Sequence, residues 1–156
     1  MTTHIARAIE PAVLKELRAA DDQGREPVPV TDEEGGAPLR CCLRHSRPGE
    51  RIALVSYAPL RRWAARTGAR PGPYDEQGPV FVHADDCAGP QGGELPFTNA
   101  HRVLRRYSAD GHILGGELVE SGFEEALAKA FDDPAVALVH VRAVEYGCFY
   151  YEVRRA

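Results

Sequence analysis

The C-terminal stretch of the chain alternates in a way only a paired strand can use, and this constrains the fold most. Val139-His-Val-Arg142 and Phe149-Tyr-Tyr-Glu-Val153 flank Glu145-Tyr-Gly147. Side chains that alternate on both sides of a glycine-containing turn read as an antiparallel hairpin, here over 136–144 and 148–154. A second hairpin is written over 102–107 and 112–120, joined through Asp110-Gly111. Further strands are predicted over 5–9, 52–57 and 80–83. Helices interrupt them only briefly. Pro11–Ala20 carries the stripe Val13, Leu14 and Leu17, and Leu60–Thr67 stops near Gly68. A third helix runs to about Phe131 from Ser121, which is followed by Glu124 as in a capping box. Hairpin-linked strands with few helices predict an α+β fold with a largely antiparallel sheet. Two or three short helices and long Gly/Pro-rich loops complete it, and at 156 residues the chain suits a single domain over 1–156. Residues 21–38 are read as a surface loop.

Charge excludes one class of partner. The formal net charge is −4, whereas binding nucleic acid rests on a basic face that neutralises phosphates. No nucleic acid is therefore expected as a partner. No apolar run approaches the roughly 20 residues of a membrane span, so no membrane association is expected, and the N-terminus lacks a leader pattern. These features predict a cytoplasmic protein, in which Cys41, Cys42, Cys87 and Cys148 stay as free thiols.

The chemistry-bearing residues sit near strand ends and loops. His83 closes a predicted strand just before the Gly/Pro-rich 85–96 segment, where a rigid element can hold a catalytic imidazole. In the C-terminal hairpin, alternation places His140 and Arg142 on one face and Val139 and Val141 on the other. If the valines pair onto the side of Phe149, Tyr151 and Val153, the reverse face holds His140, Arg142, Cys148, Tyr150 and Glu152. That face is too polar for a dry core, and is read as either solvated or the floor of a pocket. Arg105 and Arg106 point to opposite sides of their strand, so only one of them can clamp an anion there. Cys41, Cys42, His45, His83 and Cys87 could supply N/S ligands to zinc. Against this, no C-x-x-C pair appears and adjacent cysteines rarely chelate one ion.

Several segments together carry a family likeness: Cys42-Leu-Arg44 into Arg47-Pro-Gly-Glu50, Leu54-Val-Ser-Tyr57, and Tyr74 through Gly78-Pro-Val-Phe-Val-His83 with Cys87. Arg106-Tyr107, Val139-His-Val-Arg142 and Gly147-Cys148 extend it. From about Ala37 to Arg154 the chain resembles the bacterial family catalogued as domain of unknown function 1203. The likeness implies no activity. It implies positions of interest at Arg40, Tyr74, Gly78, Pro79, His83, Cys87, Arg106, Arg142 and Cys148. Leu39 stands where the family pattern carries a cysteine, which counts against an obligatory metal site there.

The leading expectation is a small-molecule enzyme with His83 or His140 as acid/base. Arg142, with Arg106 or Arg40, would hold a carboxylate or phosphate, Tyr57 and Tyr74 would line or gate the pocket, and Cys148 would border it. This reading enlists no cofactor and no metal. A non-catalytic binding module ranks second and a zinc-binding protein third.

Overall fold

The computed structural model describes residues 4–155. Residues 1–3, on which the reading of the N-terminus partly rests, lie outside that range. The chain forms β1 (His4–Arg7), α1 (Pro11–Ala19), β2 (Val30–Asp32), β3 (Pro38–Leu39), β4 (Arg44–His45), β5 (Glu50–Tyr57) and α2 (Pro59–Thr67). A 3-10 turn at Gly72–Tyr74 precedes β6 (Gly78–His83), β7 (Arg102–Tyr107), β8 (Ile113–Val119), α3 (Phe123–Phe131), β9 (Leu138–Ala143) and β10 (Phe149–Arg155). The strands make two five-stranded sheets. Sheet I has the order β1-β10-β9-β7-β8, and sheet II the order β2-β5-β6-β3-β4. Every pairing is antiparallel except that of β3 with β6, where Leu39 lies beside Phe81. The α+β architecture with largely antiparallel pairing is as the sequence predicts, and the strands divide between two sheets where one was expected.

Each helix covers a sheet with its apolar stripe. Phe123, Leu127 and Phe131 of α3 pack on Leu104, Val139, Val141 and Val153 of sheet I. On the opposite face of that sheet, Leu60 and Trp63 of α2 meet Tyr107 and Leu138. Leu14 and Leu17 of α1 join Leu39, Ile52, Val55, Val80 and Val82 of sheet II, and Phe149 of sheet I enters the same cluster. A fully buried leucine such as Leu17 contributes about 1.5–3 kcal/mol by removal from water.

Three local expectations are corrected. Residues 21–38 are not irregular throughout, because Val30–Asp32 pairs with β5 and Pro38–Leu39 with β4 and β6. The capping box does not form: Gly122, in the left-handed conformation, occupies the N-cap of α3 without a side-chain bond. The third correction is a bulge in β10. Phe149 pairs with Arg142 and Tyr151 with Val141, leaving Tyr150 as the extra residue. Phe149 therefore turns onto the His140 ring, with centroids 4.9 Å apart, while Tyr150 crosses to Phe97. Nor is the His140 face open to water. His140 is 1% exposed and Glu152 is buried beside it, because Phe149, Tyr107 and the sheet II cluster close over them. Among the described residues, no helix is long and apolar enough to cross a membrane.

Candidate metal centre

The end of β3 runs straight into a tight turn. The Leu43 N–H donates to the Leu39 carbonyl at 2.9 Å, and Leu43 takes a positive φ of 58°. Non-glycine residues adopt that region at a cost, which persists only where surrounding structure fixes it. Here the turn brings Cys41 and Cys42 toward one point. Strand β6, parallel to β3, delivers His83 to the same point, where the His83 N–H donates to Cys41 Sγ at 3.2 Å. The loop after β6 folds back with Cys87, whose sulfur accepts from the Gly89 N–H at 3.4 Å.

The result is a cluster of four donors. Cys41 Sγ and Cys42 Sγ are 3.9 Å apart, and they lie 3.4 Å and 3.8 Å from His83 Nδ1. With Cys87 included, all four ligand atoms fall within 4.8 Å of one another. A tetrahedral zinc with Zn–S near 2.3 Å and Zn–N near 2.0–2.1 Å separates two sulfurs by about 3.8 Å, and a sulfur from a nitrogen by about 3.5 Å. The edges between Cys41, Cys42 and His83 match those spacings.

A second layer fixes the imidazole. His83 Nε2 lies 2.8 Å from Glu50 Oε2. An ionised carboxylate can only accept, so Nε2 carries a proton, and in the neutral ring this leaves Nδ1 with its lone pair toward the sulfurs. Glu50 is ionised. Paired hydrogen bonds from Arg44, both 2.9 Å, and the Arg47 N–H hold its carboxyl far below the usual range. Thiolate character is unequal. The hydrogen bond from Cys41 and that from the Arg44 backbone outweigh burial and lower the Cys42 thiol to about 6; the same sulfur contact and burial push Cys41 up. Cys41 is 1% and Cys42 7% exposed. Cys42, His83 and Cys87 border a cleft of about 520 Å³ that Arg44, Arg51 and Asp86 also line.

A family model described as protein of unknown function (DUF1203) matches residues 36–155. The chain belongs to this family. No curated protein and no solved structure matches it. Both clusters of this DUF1203 chain, the four donors and the Glu50–Arg44 pair, fall inside the matched residues.

The residues singled out from sequence do not share one hollow. His83 sits in the cleft described above. His140 is sealed between the rings of Tyr107 and Phe149, donating from Nε2 to Glu152 Oε1 at 3.0 Å. Tyr57, Arg142 and Cys148 do come together, around a separate hollow of about 110 Å³. There Arg142 is engaged, with Nε donating to the Gly147 carbonyl and Nη1 3.1 Å from Glu76. Arg106 lies on the α3 side of sheet I, opposite His140, since Arg106 pairs with Val139. Arg40 is buried, donating to the Phe149 carbonyl at 2.9 Å. Tyr74 is exposed and packs on His112. His45 leaves the sulfur group and meets the edge of Phe97. Sequence reasoning passed over Glu50 and Arg44. The turn Arg47-Pro-Gly49 between their strands hints that the two side chains meet, but nothing in the sequence points them at His83.

Proposed function

We propose that this protein binds one zinc ion through Cys41, Cys42, His83 Nδ1 and Cys87. The observation that carries the reading is the Glu50–His83 pair. A carboxylate that accepts the hydrogen bond from Nε2–H presents Nδ1 as a neutral ligand, the arrangement by which metal-bound histidines are oriented and made more basic. Three cysteines and one histidine select zinc among common ions, and a full set of four protein donors marks a structural rather than a catalytic site. The ion's work is then to pin the loop that carries Cys87 to the end of β3. Acid–base chemistry by His83 has less behind it, because both ring nitrogens are engaged once the ion is bound.

The test is elemental analysis of protein purified under reducing conditions. About one equivalent of zinc per chain is expected, falling steeply in Cys87→Ser and His83→Ala. Cobalt substitution gives an independent readout, since a tetrahedral thiolate site produces strong visible absorption that His45→Ala leaves intact. Protein that takes up no zinc or cobalt at equimolar concentration overturns the reading.

A further inference from the structure

The three sulfurs of the metal cluster are not equivalent, and their differences point to a second property of the same site. Cys41 is sealed in the core of sheet II, whereas Cys42 and Cys87 both border the open cleft. Cys41 and Cys42 sit in the tight turn between β3 and β4, whereas Cys87 is half-buried within 84–96, a longer Gly/Pro-rich stretch without strand or helix. We propose that Cys42 and Cys87 form a reversible disulfide under hydrogen peroxide, expelling the metal, so that the centre is an oxidative modification site.

The geometry selects this pair. Adjacent residues such as Cys41 and Cys42 have Cα atoms about 3.8 Å apart, below the roughly 4.4–6.8 Å that a relaxed disulfide spans. A bridge between them is strained. Cys87 Sγ lies within 4.8 Å of Cys42 Sγ. Closing that gap to about 2.0 Å requires movement of a loop, not of a sheet. Cys41 is the poorer partner for Cys87, because its sulfur already accepts the His83 N–H and faces the core.

The chemistry balances with peroxide as the sole oxidant. A bound zinc would hold Cys87 as a thiolate, the nucleophilic form. Its sulfur attacks one peroxide oxygen and the O–O bond breaks. Hydroxide leaves and takes up a proton as water, and Cys87 becomes the sulfenic acid. The Cys42 thiolate then attacks the Cys87 sulfur. The S–O bond breaks, a second hydroxide leaves as water, and the S–S bond is complete. Two electrons pass from the two sulfurs to one peroxide. Two of four donors are thereby lost, and zinc leaves for solvent.

The proposal rests on the zinc reading at this site, so the experiment separates the two. Protein whose zinc content has been measured is treated with hydrogen peroxide beside a chromophoric chelator, then mapped by non-reducing peptide mass spectrometry. One zinc released for each Cys42–Cys87 bridge is expected, with full reloading after dithiothreitol and zinc. Cys87→Ala is expected to form no bridge at all. The same mapping on metal-free protein keeps the disulfide testable if no zinc binds. Release without a bridge, a Cys41–Cys42 bridge, or irreversible sulfinic acid at Cys87 overturns the proposal.

Discussion

Glu50 touches no sulfur, yet it controls which nitrogen of His83 faces the cluster. Glu50→Gln keeps the shape but can turn its amide to donate, so the tautomer is no longer fixed. Zinc affinity is expected to fall by about 10–100-fold, read by competition with a chelator of known affinity, while the circular dichroism spectrum stays unchanged. His140 is the contrasting case. Burial lowers its pKa, as do the facing charges of Arg142 and Arg105, and these outweigh the bond to Glu152. Glu152 itself stays ionised, since the bonds and charges of His140 and Arg154 outweigh a burial that alone would raise it. The sign follows from proton counts. Below about pH 6.5 the unfolded chain protonates residue 140 and the folded one does not, so stability is present above that pH and is lost as pH falls. Urea titrations between pH 5 and 7 are expected to show this decline, with a shallower slope in His140→Gln.

At the scale of elements, the Asp110-Gly111 turn does more than join β7 to β8. Gly111 has a φ of 86°, and a Cβ there would stand 3.0 Å from Pro71 Cβ and 3.4 Å from a Trp63 ring carbon. Gly111→Ala therefore meets both left-handed strain and the packed Pro71 and Trp63 side chains. A loss of at least about 1–2 kcal/mol is expected in urea unfolding. That turn, the two hairpins and the three helices were legible because each is announced locally, by alternation, a proline at N1, a glycine at the end or, in α3, the apolar stripe Phe123, Leu127 and Phe131. The bulge at Tyr150 was not. One inserted residue reverses the faces of Phe149 and Tyr150 without any change in composition, so the polar face was read as open when it is covered. The four-donor cluster was half legible. Its four donors were seen as candidates, but adjacent cysteines gain a common focus only through the left-handed Leu43, and a leucine in that conformation leaves no mark in sequence.

For the whole molecule, the two sheets keep separate clusters that meet at few points. Stripping the ion with a chelator is expected to act unevenly: amide hydrogen exchange rises across 84–96 and around 41–43, while β7 to β10 remain protected. Uniform loss of protection would instead place the ion at the centre of folding. One contact between the sheets lies directly beside Cys41. Arg40, the neighbour of Cys41, lays its guanidinium over the Tyr150 ring at 4.7 Å, and Arg102 of sheet I covers the same ring at 4.5 Å. Both cations are buried, and burial lowers Arg40 to about 10. The aromatic cloud they share, together with the Phe149 and Pro38 carbonyls that accept from Arg40 and the His101 carbonyl that accepts from Arg102, offsets two enclosed positive charges. Strain applied at the sulfur turn would travel one peptide bond and reach this rivet, so the seam between the layers, and not only the loop, would register whether the thiols are clasped or released.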